Sequence, residues 1–143
     1  MIITSAAVSK VCTAIKEIEK KNNYDVIRAY SNNIKPVPVT NPIVAVSLKK
    51  SNVGERKIVI DDSGEEVKSN YRDIEIIVSV DIYLPYAYDE ALGIQIFDEI
   101  AHHLFNSELL EITKASCEDL HYDSASQTNL MRSSFTVIVT QIP

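Results

Sequence analysis

The stretch RDIEIIVSVDIYL, residues 72–84, decides the fold. Ile74, Ile76, Val78, Val80 and Ile82 occupy alternate positions, with Asp73, Glu75, Ser79 and Asp81 between them. Successive side chains of a strand point to opposite faces, so this spacing predicts a long β-strand with one face buried. The other face is expected to be wet or paired with a partner. Pro85 ends the strand, because proline has no N–H to give to a ladder.

Downstream, residues 89–106 carry a helical pattern with Asp89 as its cap. Placed at 100° per residue, its apolar positions (Leu92, Ile94, Ile96, Phe97, Ile100, Ala101, Leu104 and Phe105) cover an arc too wide for a helix that merely lies on a sheet. It is expected to bury two sides, against the sheet and against either the first helix or another subunit. Strands follow at 110–116 and 130–142, separated by a polar loop through Gln127, Thr128 and Asn129. The last strand sets Phe135, Val137 and Val139 on one face and Ile138 and Ile142 on the other.

Upstream, Val8, Val11, Ile15 and Ile18 predict an amphipathic helix over 5–21, capped by Thr4 or Ser5 and closed by Asn22 and Asn23. A short strand is expected over 24–30. Pro36, Pro38 and Pro42 then make 31–42 an extended loop, and 43–50 a further strand. Residues 51–70 read as a projecting β-hairpin arm, in which KIVI (57–60) and EEVK (65–68) flank a turn from Asp61 to Gly64. The strands are not separated one by one by helices. The expected class is therefore α+β, a mostly antiparallel sheet of about four to five strands with two helices on one face.

At 143 residues, 45% hydrophobic and 24% charged, residues 1–143 are expected to form a single domain. The net charge of −6, with no basic cluster beyond Lys20-Lys21 and Lys49-Lys50, argues against a surface that grips phosphates, and so against sequence-specific nucleic-acid binding. No run approaches a membrane span and no leader pattern opens the chain, so a cytoplasmic location is expected. Cys12 and Cys117 stand far apart with no metal-ligand spacing and read as reduced thiols.

The sequence holds no P-loop, GxGxxG, GxSxG or HExxH. His102 and His103 are neighbours, about 100° apart on a helix, and do not chelate one metal; Asp98 and His102 are spaced for a surface pair. His121 lies beside Asp119 and Asp123 with no nucleophile pattern. The acidic turn of Asp61, Asp62, Glu65 and Glu66 lacks the spacing of a calcium loop. No catalytic, cofactor or metal residue is assigned. Tyr83, Tyr86 and Tyr88, around Pro85, read first as ordinary packing at the strand–helix corner and second as candidate interface residues, since tyrosine offers large contact area at low entropy cost.

The segments NPIVAVSLKK (41–50), the polar arm, DIEIIVSVDIYLPY (73–86), EALGIQIFDEIAHHLF (90–105) and LHYDSASQTNLMRSSFTVIVTQI (120–142) together resemble the tail-terminator (tail-completion) proteins of phages and phage-like particles, contractile bacteriocins included. The resemblance implies a structural protein rather than an enzyme, without cofactors. It implies a homo-oligomeric ring, a hexamer in that family, that caps the tail tube and sheath and meets the head-side connector. Such a protein is made in the host bacterial cytoplasm and ends in the particle. Arg56, Lys57 and Glu65 of the arm, with Tyr83, Tyr86 and Tyr88, are the candidate subunit or tube contacts. The alternatives are another tail or head–tail joining component, or a small ligand-binding or enzymatic α+β module using His102, His103 or His121.

Overall fold

The computed structural model describes residues 2–22, 24–28, 41–55, 57–60, 62–64, 66–85, 90–124 and 127–141, with side chains except at 2, 20–22, 57–60, 66–71 and 141. In chain order the elements are α1 (Ile2–Asn22), β1 (Asp25–Arg28), β2 (Ile43–Val53), β3 (Lys57–Ile60), β4 (Glu66–Leu84), α2 (Glu90–Phe105), β5 (Ile112–Cys117), β6 (His121–Asp123) and β7 (Thr128–Gln141). The protein is α+β, with two helices and a mostly antiparallel open sheet of six strands among the described residues. The main sheet runs β1-β2-β4-β7-β5, and β6 also pairs with β7.

The centre of the sheet is the strand that the alternation singles out. Ile74, Ile76, Val78, Val80, Ile82 and Leu84 of β4 are sealed from solvent on one face. Each such side chain contributes about 1.5–3 kcal/mol of transfer free energy. β4 pairs with β7 from Arg72↔Gln141 to Leu84↔Asn129, and this in-register ladder places Met131, Phe135 and Val137 on the same buried face. Ala7, Val8, Val11, Ile15, Ile96, Ile100 and Leu104 of the two helices close over it. The Phe97 and Phe135 rings meet at 5.7 Å, tilted by 32°.

Several elements differ from expectation for identifiable reasons. α1 begins before Thr4, which lies inside the helix; its Oγ1 meets Ser51 Oγ at 3.2 Å instead of capping. The strand expected over 24–30 is β1, and it pairs parallel to β2. The connection from Arg28 to Ile43 is long enough for the crossover that a parallel pair needs. β2 runs on to Val53 and β4 begins at Glu66, so the arm grows out of the central strand. β3 pairs with β4 through Lys57↔Tyr71, Val59↔Lys68 and Ile60↔Glu66, and Gly64 adopts a φ of 85° in the turn between them. The polar loop before the last strand holds β6, whose His121, Tyr122 and Asp123 carry no apolar alternation; β7 supplies its partners, His121↔Leu130 to Asp123↔Thr128. The expected cap Asp89 and the outward Ile142 lie outside the described residues.

α2 divides its wide apolar arc. Ile96, Ile100 and Leu104 are buried, whereas Ile94 and Phe105 stay 44% and 50% exposed. α1 packs beside it, joined by His103 Nε2 and Glu17 Oε2 at 2.9 Å.

Candidate interaction surfaces

The face of the sheet turned away from the helices is mostly polar at its centre. Ladder registers bring Ser47, Ser79, Ser134 and Ser116 into a single row across β2, β4, β7 and β5. Taller side chains flank this row, Arg132 and Glu118 towards one strand end and Lys49 towards the other. The result is a trough of about 310 Å³ lined by these serines with Lys49, Asp81, Glu118 and Arg132. Its polar groups are partly satisfied internally. Ser79 Oγ donates to Asp81 Oδ1 at 3.1 Å, Ser116 Oγ and Ser134 Oγ share a bond of 2.9 Å, and the Glu118 N–H donates to the Arg132 carbonyl at 2.8 Å. Ser133 faces the opposite way and donates to the Val80 carbonyl. Nothing local in the sequence announces the trough, because each strand supplies one serine.

Below the trough, Ile43, Ala45, Tyr83 and Leu130 form a second, small apolar cluster on this face, with Ile27 against it. Tyr83, a candidate contact, is 7% exposed there and packs within the chain. The other candidates are not brought together: Arg56, Glu65, Tyr86 and Tyr88 lie outside the described residues, and Lys57 is placed only as a backbone residue of β3.

The histidines do not converge. His103 faces Glu17, His102 lies beside Asn106 rather than Asp98, with Asn106 Nδ2 donating to the His102 carbonyl at 2.8 Å, and His121 is exposed on β6. Among the described residues no group of His, Cys, Asp and Glu is arranged to hold a metal ion, and no helix is long and apolar enough to cross a membrane. Both cysteines are free thiols. Burial pushes the Cys117 thiol above its ordinary value, and Asp98, Glu118, Asp119 and Glu90 push it further, so it is a poor nucleophile near neutrality.

Two apolar margins are exposed at the sides of the sheet. On β2 itself stand Leu48 and Val53, 49% and 50% exposed. On the other side Leu109, 81% exposed, borders a groove of about 170 Å³ with Ile3, Ala6, Leu110 and Val139. No protein-family model matches the chain, and no curated protein matches it.

Proposed function

We propose that this chain is a structural assembly protein, a ring-forming tail terminator that caps the tail tube of a phage or phage-like particle. The observation that carries the reading is the division of the sheet into two unlike faces. One is sealed by both helices, and the other is, among the described residues, uncovered, polar and troughed, on a chain whose central strand extends into an arm. A subunit of a ring needs such division: one surface for its own core, others for neighbours and for the tube it meets. Element order and the segments quoted above support the terminator family within that class; fold alone does not give function.

In this reading the arm reaches a neighbouring subunit or the tube, and the helix-free face meets either the lumen or the head-side partner. The test is tube capping. Adding the purified protein to a polymerising phage tail-tube protein is expected to shorten the tubes and leave a ring on one end in electron micrographs. Tubes of unchanged length with bare ends would contradict the proposal.

A further inference from the structure

On one side the sheet ends in β5, whose outer edge, Ile112–Cys117, pairs with no strand among the described residues. Residues 90–124 are described without a break, so α2, the turn after it and β5 bound this side continuously. An exposed edge is a row of backbone donors and acceptors ready to pair with another chain. Ala115 stands opposite Phe135 and Cys117 opposite Ser133, both on the helix side of β7, so Ala115 and Cys117 look towards α2.

Between α2 and the end of β5 lies a hollow of about 210 Å³. Ile94, Phe97 and Met131 line its apolar part, and Ile94 is left 44% exposed there. Its rim is acidic. Glu90 stands one helical turn before Ile94, and Asp119 follows the strand. Asp98, one turn after Ile94, is near enough to Cys117 to raise its thiol, as are Glu90 and Asp119. Lys114 is the one lysine or arginine between Glu90 and Asp123, so much of the chain's net charge of −6 gathers here. It belongs to the other face of the sheet, opposite Thr136 and next to the Ser116↔Ser134 pair of the serine row. Arg132 likewise lines the trough on that face.

An apolar floor ringed by carboxylates, beside an open strand edge, suits one kind of guest. A lysine or arginine lays its methylene stem on apolar surface and keeps its charged head outside it. Side chains of an extended segment alternate, so when such a segment pairs with β5 every second one faces α2. Charges that only blunt an edge need no hollow behind them.

We infer that the β5 edge and the flank of α2 together take up an extended, basic segment of a partner protein. The segment adds a strand to the sheet beyond β5. One of its lysine or arginine stems rests on Ile94 and Phe97, with its head among Glu90, Asp98 and Asp119. Backbone pairing supplies the affinity, and the hollow selects the side chain. This site does not depend on the chain forming a ring.

The test uses the full chain, fluorescence anisotropy and three labelled heptapeptides. In the first, threonine and lysine alternate. In the second, glutamate replaces lysine; in the third, proline replaces threonine and removes N–H groups that a strand donates. The threonine–lysine peptide is expected to bind at least about tenfold more tightly than either of the others, since it alone offers both the charge and the backbone. Asp98→Lys/Asp119→Lys is expected to weaken its binding at least about tenfold, and Glu55→Lys/Asp62→Lys, the same change of charge on the β2 end and the arm, no more than about twofold. Far-UV circular dichroism checks the fold of each variant. Asp98→Asn/Asp119→Asn, a milder change at two exposed positions, is expected to weaken binding about threefold or more. In amide NMR spectra the bound peptide is expected to shift Ile94–Asp98 and Ile112–Asp119. Equal binding of the threonine–lysine and proline–lysine peptides would overturn the strand pairing. Equal losses in the two lysine variants would reduce the effect to acidic background and overturn the site. Amide shifts elsewhere, or no binding of the threonine–lysine peptide at millimolar concentration, would overturn it as well.

Discussion

Gly93 sets how closely α2 rests on the sheet, and Gly93→Ala measures it. A Cβ on Gly93 would stand 2.1 Å from Met131 Sδ and 3.1 Å from Leu84 Cδ1. Ordinary non-bonded contact is near 3.5–4.0 Å, so the overlap with sulfur is roughly 1.5 Å. Met131 is buried in the core, so its flexible side chain must repack among its neighbours to clear the added carbon. Overpacking of this kind costs about 1–3 kcal/mol. Alanine in a helix returns up to about 1 kcal/mol relative to glycine. The net expectation is a loss of roughly 1–2 kcal/mol, a fall of about 3–6 °C in Tm at this chain length. Chemical denaturation of four proteins decides it: wild type, Gly93→Ala, Met131→Ala and the double variant. With the sulfur gone, Leu84 needs to give only a few tenths of an ångström, and Gly93→Ala is expected to become neutral or stabilising. A coupling of about 2 kcal/mol lies within the range known for touching residues. A Gly93→Ala protein more stable than wild type, or additive effects of the two changes, would refute the close seating of α2 on β7.

Other perturbations separate core from surface. Phe135, sealed under α2 and stacked with Phe97, is expected to cost about 3–5 kcal/mol on replacement by alanine, read from urea midpoints. Glu17→Gln removes the charge from the contact with His103 between partly exposed side chains and is expected to cost no more than about 1 kcal/mol, by the same assay. Burial raises the Cys12 thiol above its ordinary value of 9.0, so the unfolded chain loses that proton first as pH rises. Its contribution is whole below pH 9.0 and falls as pH rises above it, and wild type is expected to lose stability relative to Cys12→Val as pH rises past 9.0. Cys117 is exposed but its thiol is raised, so iodoacetamide at pH 7.5 is expected to modify it more slowly than free cysteine, followed by mass spectrometry.

What the sequence discloses follows from the range of the signal. Alternation in 72–84 is local, and β4 and its buried face are read from it directly; the same holds for Phe135, Val137 and Val139 of β7. The helices show because their apolar stripes repeat within a turn. β6 does not show, because its place depends on Leu130, Asn129 and Thr128 rather than on its own residues. The serine trough is invisible for the same reason, being assembled from four strands by ladder register. Nothing in the local pattern marks Gly93, whose role depends on Met131 of a distant strand. The width of the α2 arc is correct in the sequence, yet which part stays exposed depends on where α1 and the sheet lie, and this leaves Ile94 and Phe105 in view.

The most direct measurement is the mass of the purified protein at micromolar concentration by light scattering, with negative-stain images of the same sample. The account predicts a closed ring of defined mass, six copies in keeping with the family it resembles. A stable monomer with no rings in the images would contradict it.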